Sequence, residues 1–163
     1  MSSNRAHITV SISQQTLSLY EDSKLLTSYR VNTAKNGVGE AFGSECTPRG
    51  QHIIRAKIGD GAVPGSVFIG RRLTGEIYHR RLAEVQPNRD WILTRILWLS
   101  GLERGYNRLG TVDTMRRYIY IHGAPDELLT QPPSSHGCIR MLNADIVELF
   151  SKVTVGTSVF ISE

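Results

Sequence analysis

Apolar and polar residues alternate at the start of the chain. In "HITVSISQQTLSLYEDSKLLTSYRVNTA", Ile8, Val10 and Ile12 share one face, then Leu17 and Leu19, then Leu26, with polar residues between them. A period of two marks half-buried strands. With "EDSK" as a turn, the stretch predicts two or three antiparallel strands in a meander. "AKNGVGEAFGSECTPRG" is rich in glycine and poor in large apolar side chains, which predicts a loop. "QHIIRAKIG" and "SVFIGRRL" read as further short strands separated by the turn "DGAVPG".

The period then changes. In "NRDWILTRILWLSGLERG", Trp91, Ile92, Arg95, Ile96 and Leu99 fall at helical spacing, with Asn88 or Asp90 as a cap and Gly101 just past the end, so a helix is predicted over 90–101. "MRRYIYIHG" returns to strand, with Tyr118 and Tyr120 on one face and Ile119 and Ile121 on the other. "LNADIVELFSKV" predicts a second helix, capped by Asn143 and carrying a stripe of Ile146, Val147, Phe150 and Val153. "GTSVFISE" closes as a strand. With no repeat, linker or low-complexity tract, residues 1–163 read as one mostly-β domain with two short helices.

Composition narrows the function classes. A chain of 163 residues with 40% hydrophobic and 21% charged content is long enough to bury a proper core. Its apolar runs are too short to span a membrane. The N-terminus shows no apolar signal-peptide core, which predicts a cytoplasmic protein, or a periplasmic one if a leader has been trimmed. The net charge is +4, and lysines 24, 35, 57 and 152 account for only four of the nineteen basic residues. The fifteen arginines are scattered rather than gathered on one stripe, which argues against a nucleic-acid surface. Arginine also grips carboxylates bidentately, so a ligand bearing several carboxylates accounts for the bias equally well.

The candidate chemistry lies in "SSHGCIRMLNADIVELF". The chain has two cysteines, Cys46 and Cys138, and a cytoplasmic setting predicts two free thiols. A cysteine attacks as its thiolate and needs a basic partner. His122 ends the strand "YIYIHG", where a side chain is rigidly aimed, and His136 lies two residues before Cys138. Gly137 between them supplies backbone freedom, so that main-chain N–H groups of the turn can face a developing oxyanion. A packing role explains this context poorly. A zinc site built from His122, His136 and Cys138 lacks the paired short ligand steps of common zinc motifs, and no cofactor motif is present. His7, His52 and His79 read as ordinary solvated or core histidines, and Cys46 as incidental.

"IHG" followed by "SHGCIRM", together with "TPRG" at Thr47–Gly50, resembles the signature of the L,D-transpeptidase catalytic domain, the YkuD family. The resemblance runs over nearly the whole chain and implies a YkuD-type β-sandwich. It implies Cys138 as nucleophile and His122 as general base, oriented by the carbonyl of Gly123. The N–H groups of His136, Gly137 and Cys138 would form the oxyanion hole. Ser135 matches the Ser/Thr of the motif and is expected to contact the substrate, and Arg140 stands where some members carry asparagine and is expected to meet a substrate carboxylate. Arg116 or Arg117 is expected to face the cleft, and the Trp91 segment to wall the substrate pocket. The implied substrates are murein tetrapeptides or muropeptides, and the implied inhibitors are carbapenem-type β-lactams. The expected reaction is L,D-carboxypeptidase cleavage of the terminal D-Ala in murein recycling, with cross-linking L,D-transpeptidation as the alternative and a non-catalytic murein-binding module as the rival.

Overall fold

The computed structural model describes residues 5–163. The opening alternation forms the expected meander of β1 (Ala6–Ser11), β2 (Thr16–Glu21) and β3 (Lys24–Asn32). Its register sets Ile8 against Leu19 and Val10 against Leu17, so that one face of the hairpin is continuously apolar and fully buried. Then come β4 (Gly50–Ile58), β5 (Ser66–Ile69) and β6 (Arg72–Ile77). A short helix α1 (Arg80–Val85), with His79 as its N-cap, leads to β7 (Ile92–Gly101). The chain ends with β8 (Tyr120–Gly123), β9 (Ile139–Met141), α2 (Asn143–Lys152) and β10 (Ser158–Ser162).

All ten strands belong to one sheet, in the order β4-β10-β1-β2-β3-β9-β8-β7-β5-β6, and β4 also pairs with β7. That extra pairing closes the sheet on itself, leaving β5–β6 as a hairpin beyond the closure. Helix α2 turns Ile146, Leu149 and Phe150 into the main core, packing against β7 and β8. A smaller apolar cluster of Phe68, Ile96 and Tyr120 lies apart from that core and includes Cys138 at its margin.

The helix expected over 90–101 is not formed; that stretch is the ten-residue strand β7. Leu97 and Leu99 face the main core while Ile96 and Trp98 face the smaller cluster, so both faces of the strand are covered. A strand buried on both sides carries no polar alternation. The register also slips between Leu93 and Ile96, and Thr94 takes φ 75°, so a bulge shifts the pattern by one residue. Continuous apolarity plus that slip reproduced a helical spacing.

Asn143 is the first residue of α2 and not its cap. The Asp126 carboxylate accepts its main-chain N–H at 3.0 Å, while its side-chain amide donates to the Ala124 carbonyl at 2.8 Å and its Oδ1 accepts from the Thr94 hydroxyl. The residue therefore ties α2 to the end of β8 and the bulge of β7. Tyr118 lies before β8 at φ 55° and is exposed, so only Tyr120 of the expected tyrosine face belongs to the strand.

The parallel pairing of β8 with β9 positions the site. Ile121 lies opposite Ile139, His122 opposite Arg140 and Gly123 opposite Met141. Side chains alternate along strands. Ile121, Ile139 and Met141 enter the main core, so His122 and Arg140 project from the other face, where Cys138 also lies.

Candidate active site

The turn before β9 is built from its own side chains. The Ser135 hydroxyl donates to the Cys138 carbonyl at 2.6 Å and accepts the Gly137 N–H at 3.2 Å, so it closes the turn as a strut. Gly137 sits at φ 131°, and a Cβ there would approach Ile119 Cδ1 at 2.9 Å and the Cys46 carbonyl at 3.0 Å. Conformation and space both demand glycine. From the "TPRG" loop, the Thr47 hydroxyl donates to the Gly137 carbonyl at 2.9 Å and accepts the Ala34 N–H at 3.1 Å. Thr47 thereby pins a loop about ninety residues away in sequence onto the cysteine turn.

Cys138 Sγ is held by main chain on both sides. It donates to the Tyr118 carbonyl at 3.3 Å and accepts the Tyr120 N–H at 3.3 Å. Burial pushes the thiol up to about 12, and the Tyr120 N–H offsets this only in part. The residue as a whole still keeps partial access to solvent through the cavity above it, so the rise belongs to the packed surroundings of Sγ.

His122 is fully buried. Its Nδ1 lies 2.6 Å from the Gly123 carbonyl, which requires Nδ1 to carry the proton and leaves the lone pair on Nε2. Nε2 has no hydrogen-bond partner. Burial lowers the ring to about 4, so it is neutral at pH 7. Gly123 is required here by close packing, since a Cβ would meet the Leu93 carbonyl at 2.6 Å. The two reactive groups thus share one cavity, both uncharged, without a direct hydrogen bond between them.

That cavity holds about 520 Å³ and is lined by both groups together with Arg71, Asp90, Arg117 and Arg140. Arg140 is buried and bonded to Asp90 at 3.2 Å and the Ser134 hydroxyl at 2.7 Å, so its charge is already matched. Arg116 is exposed and lines a separate hollow of about 280 Å³; its neighbour Arg117 is the one that reaches the cavity. Trp91 is not on a helix and does not line the cavity. It is buried against Val67 and Leu93, with the Arg89 guanidinium 4.3 Å above its ring, and it walls an adjoining hollow of about 430 Å³. The two hollows share Asp90, His136 and Arg140 with each other, and the exposed His136 borders all three.

Arg71 and Asp90 were not legible as site residues. Each comes from an element distant in sequence from the "SHGC" turn, and "SVFIGRRL", expected as one strand, is broken at Gly70-Arg71 by the turn between β5 and β6. Cys46 is a free thiol in the glycine-rich loop, whose carbonyl accepts Arg117 at 2.6 Å. His52 is a core residue bonded to the Gly50 carbonyl and to Thr114, and His7 stacks on Tyr20. Among the described residues, no three histidine, cysteine, aspartate or glutamate side chains are grouped to hold a metal, and no helix is long and apolar enough to cross a membrane.

The family model of the L,D-transpeptidase catalytic domain (YkuD) matches residues 5–161. Among solved structures, an L,D-transpeptidase from Mycobacterium smegmatis is 18% identical with a TM-score of 0.58, over 98% of this chain and 59% of that one. An L,D-transpeptidase from Xylanimonas cellulosilytica is 19% identical with a TM-score of 0.57, over 99% of this chain and 62% of that one. L,D-transpeptidase 3 from Mycobacterium tuberculosis, solved with a faropenem-derived adduct, is 15% identical with a TM-score of 0.58, over 98% and 60%. At such identities the likeness concerns the fold, and the chain spans about three fifths of the length of these structures. No curated protein matches the chain.

Proposed function

Because the chain belongs to the L,D-transpeptidase catalytic-domain family, we propose that it is a cysteine acyltransferase whose first substrate is a murein tetrapeptide. The observation that carries this reading is the pairing, in one cavity, of a main-chain-held thiol with a neutral imidazole whose Nε2 is unpartnered. The thiol proton leaves the Tyr118 carbonyl for Nε2 as Sγ attacks the carbonyl of the diamino acid at position three. A thiol held near 12 beside an imidazole near 4 forms no resting ion pair, so proton transfer accompanies attack. Ser135 already occupies the Gly137 N–H, which leaves the N–H groups of His136 and Cys138 to meet the oxyanion. Collapse breaks the C–N bond, and the proton on Nε2 passes to the departing amine of D-Ala.

Water then attacks the thioester with His122 again as base, returning the thiol and a tripeptide. This L,D-carboxypeptidase outcome is supported by the partial solvent access of Cys138 and the exposure of His136 beside it. A second reading, L,D-transpeptidation, is favoured by the adjoining hollow of about 430 Å³, which offers room for a second peptide. Its amine would then replace water. A place in murein recycling in the cytoplasm is part of this proposal, and cell fractionation tests the location. By analogy with the faropenem-derived adduct on the Mycobacterium tuberculosis relative, β-lactams, including carbapenems, are expected to acylate Cys138. Incubation with a purified tetrapeptide, with and without an amine acceptor, tests the reaction by mass spectrometry. Tripeptide as the main product in both mixtures supports hydrolysis, a cross-linked product supports transfer, and neither product refutes both.

A further inference from the structure

Two of the cavity's arginines carry charge that no acidic side chain matches. Arg71 stands in the two-residue turn between β5 and β6, with φ of 54° at Gly70 and 65° at Arg71. Such a turn suits glycine or asparagine, so an arginine there is held at a cost in backbone strain. Its guanidinium lies 4.8 Å from the Trp98 ring centroid and 4.9 Å from that of Tyr118, and it donates to the Tyr120 hydroxyl at 3.0 Å. The head group is therefore fixed before any ligand arrives, with most of its five N–H donors unspent.

Arg117 is the counterpart. Its two terminal nitrogens donate to the carbonyls of Cys46 at 2.6 Å, Gly39 at 3.3 Å and Glu40 at 3.4 Å and to the Ser44 hydroxyl at 3.3 Å, all uncharged acceptors, so it offers the cavity its charge more than free N–H groups. Among the described residues neither guanidinium has a carboxylate within ion-pair distance, whereas Arg49, Arg89 and Arg140 each have one. Both line the cavity around Cys138. The thiol is bonded to the main chain of Tyr118, whose chain neighbour is Arg117 and whose ring lies under Arg71. Half-buried cations without counter-charge favour a ligand that brings the charge with it.

We infer that Arg71 and Arg117 form a two-point carboxylate reader flanking the nucleophile, and that the preferred acyl donor carries two free carboxylates. One is on the leaving residue, and the other is on the diamino acid that becomes the acyl group. This rests on the murein-peptide reading above and sharpens it. The enzyme selects the diacid over peptides in which either carboxylate is a carboxamide. Arg71 can meet both oxygens of a carboxylate and Arg117 its charge, whereas a carboxamide is planar too but brings no charge and only one acceptor oxygen.

The test uses four synthetic tetrapeptides: the diacid, each monoamide and the diamide. Their affinities for Cys138→Ala protein are measured by calorimetry, so that binding is read without turnover. The diacid is expected to bind at least tenfold more tightly than either monoamide. Adding Arg71→Gln should reduce the penalty of amidating one carboxylate to less than twofold while leaving the other penalty intact, and Arg117→Gln, which removes the charge, should weaken the second. Should Arg117→Gln fail to fold, the Arg71→Gln arm decides alone. Four equal affinities would overturn the inference. So would variants that weaken all four peptides by the same factor. Turnover of the diacid by the wild-type enzyme is measured separately. Selective binding without turnover would leave the reader standing and sink the proposed reaction, whereas turnover without selectivity would do the reverse.

Discussion

Two buried histidines make acid stability a sharp test of the burial described here. His122 and His52 are both fully buried, and burial lowers each to about 4 from an ordinary value near 6.5. A histidine whose folded value is depressed is neutral in the fold, while the unfolded chain takes up its proton first. Stability is therefore whole above pH 6.5, falls as pH drops through that value, and stops falling near pH 4. A fall from 6.5 to about 4 corresponds to roughly 3 kcal/mol for each histidine. Between pH 6 and pH 5 each contributes a loss of about 1 kcal/mol, and the pair about 2 kcal/mol. That interval is chosen because Glu40 and Asp113, both held below their ordinary values by hydrogen bonds that outweigh burial, act mainly below it. The assay is urea unfolding at pH 7, 6 and 5 for wild type, His122→Gln and His52→Gln. Each variant is expected to start less stable at pH 7, yet to lose about 1 kcal/mol less than wild type between pH 6 and pH 5. Variants that keep the wild-type slope would refute the claim that these rings are neutral because they are buried.

Other consequences concern the cysteine turn. Gly137→Ala forces a side chain into φ 131° and against Ile119 and the Cys46 carbonyl, so it should cost on the order of 1–3 kcal/mol in urea unfolding and slow acylation of Cys138 by more than tenfold. Thr47→Val keeps the shape but strips the hydroxyl that joins Ala34 N–H to the Gly137 carbonyl. Leaving those buried groups unpaired should lower stability by about 1–3 kcal/mol, with a parallel fall in the acylation rate measured by single-turnover mass spectrometry.

What was legible in the sequence was local. Alternation in residues 6–32 gave the meander because one face of it meets the core and the other meets water. The "SHGC" turn was legible because its chemistry lies within four residues, and His122 because strand β8 ends in "HG". The β7 error has a definite origin in burial on both faces combined with the bulge at Thr94, which together erase the alternation that identifies a strand. Strand β6 escaped notice because it is exposed along nearly its whole length, and α1 because it is short and buries none of its residues fully, so neither carries a strong pattern. The polar wall of the cavity was the least legible part. Arg71 arrives from a hairpin turn, Asp90 from the approach to β7, and Arg117 rather than Arg116 from the turn before β8. Which of two adjacent arginines faces inward depends on the turn geometry at residues 113–118, where Asp113 accepts the N–H groups of Leu109 and Arg116, and not on composition.

In the proposed reaction, Cys138 forms the acyl-enzyme with His122 as its base. Intact-mass and peptide-level mass spectrometry of single-turnover mixtures, using the tetrapeptide or a carbapenem, tests it most directly in wild type, Cys138→Ala, Cys46→Ser and His122→Ala. One adduct is expected on the peptide containing Cys138 in wild type and Cys46→Ser, and none in Cys138→Ala. In His122→Ala the same adduct should form about a hundredfold more slowly, or slower still. An adduct on Cys46, or a near-normal rate in His122→Ala, would contradict it.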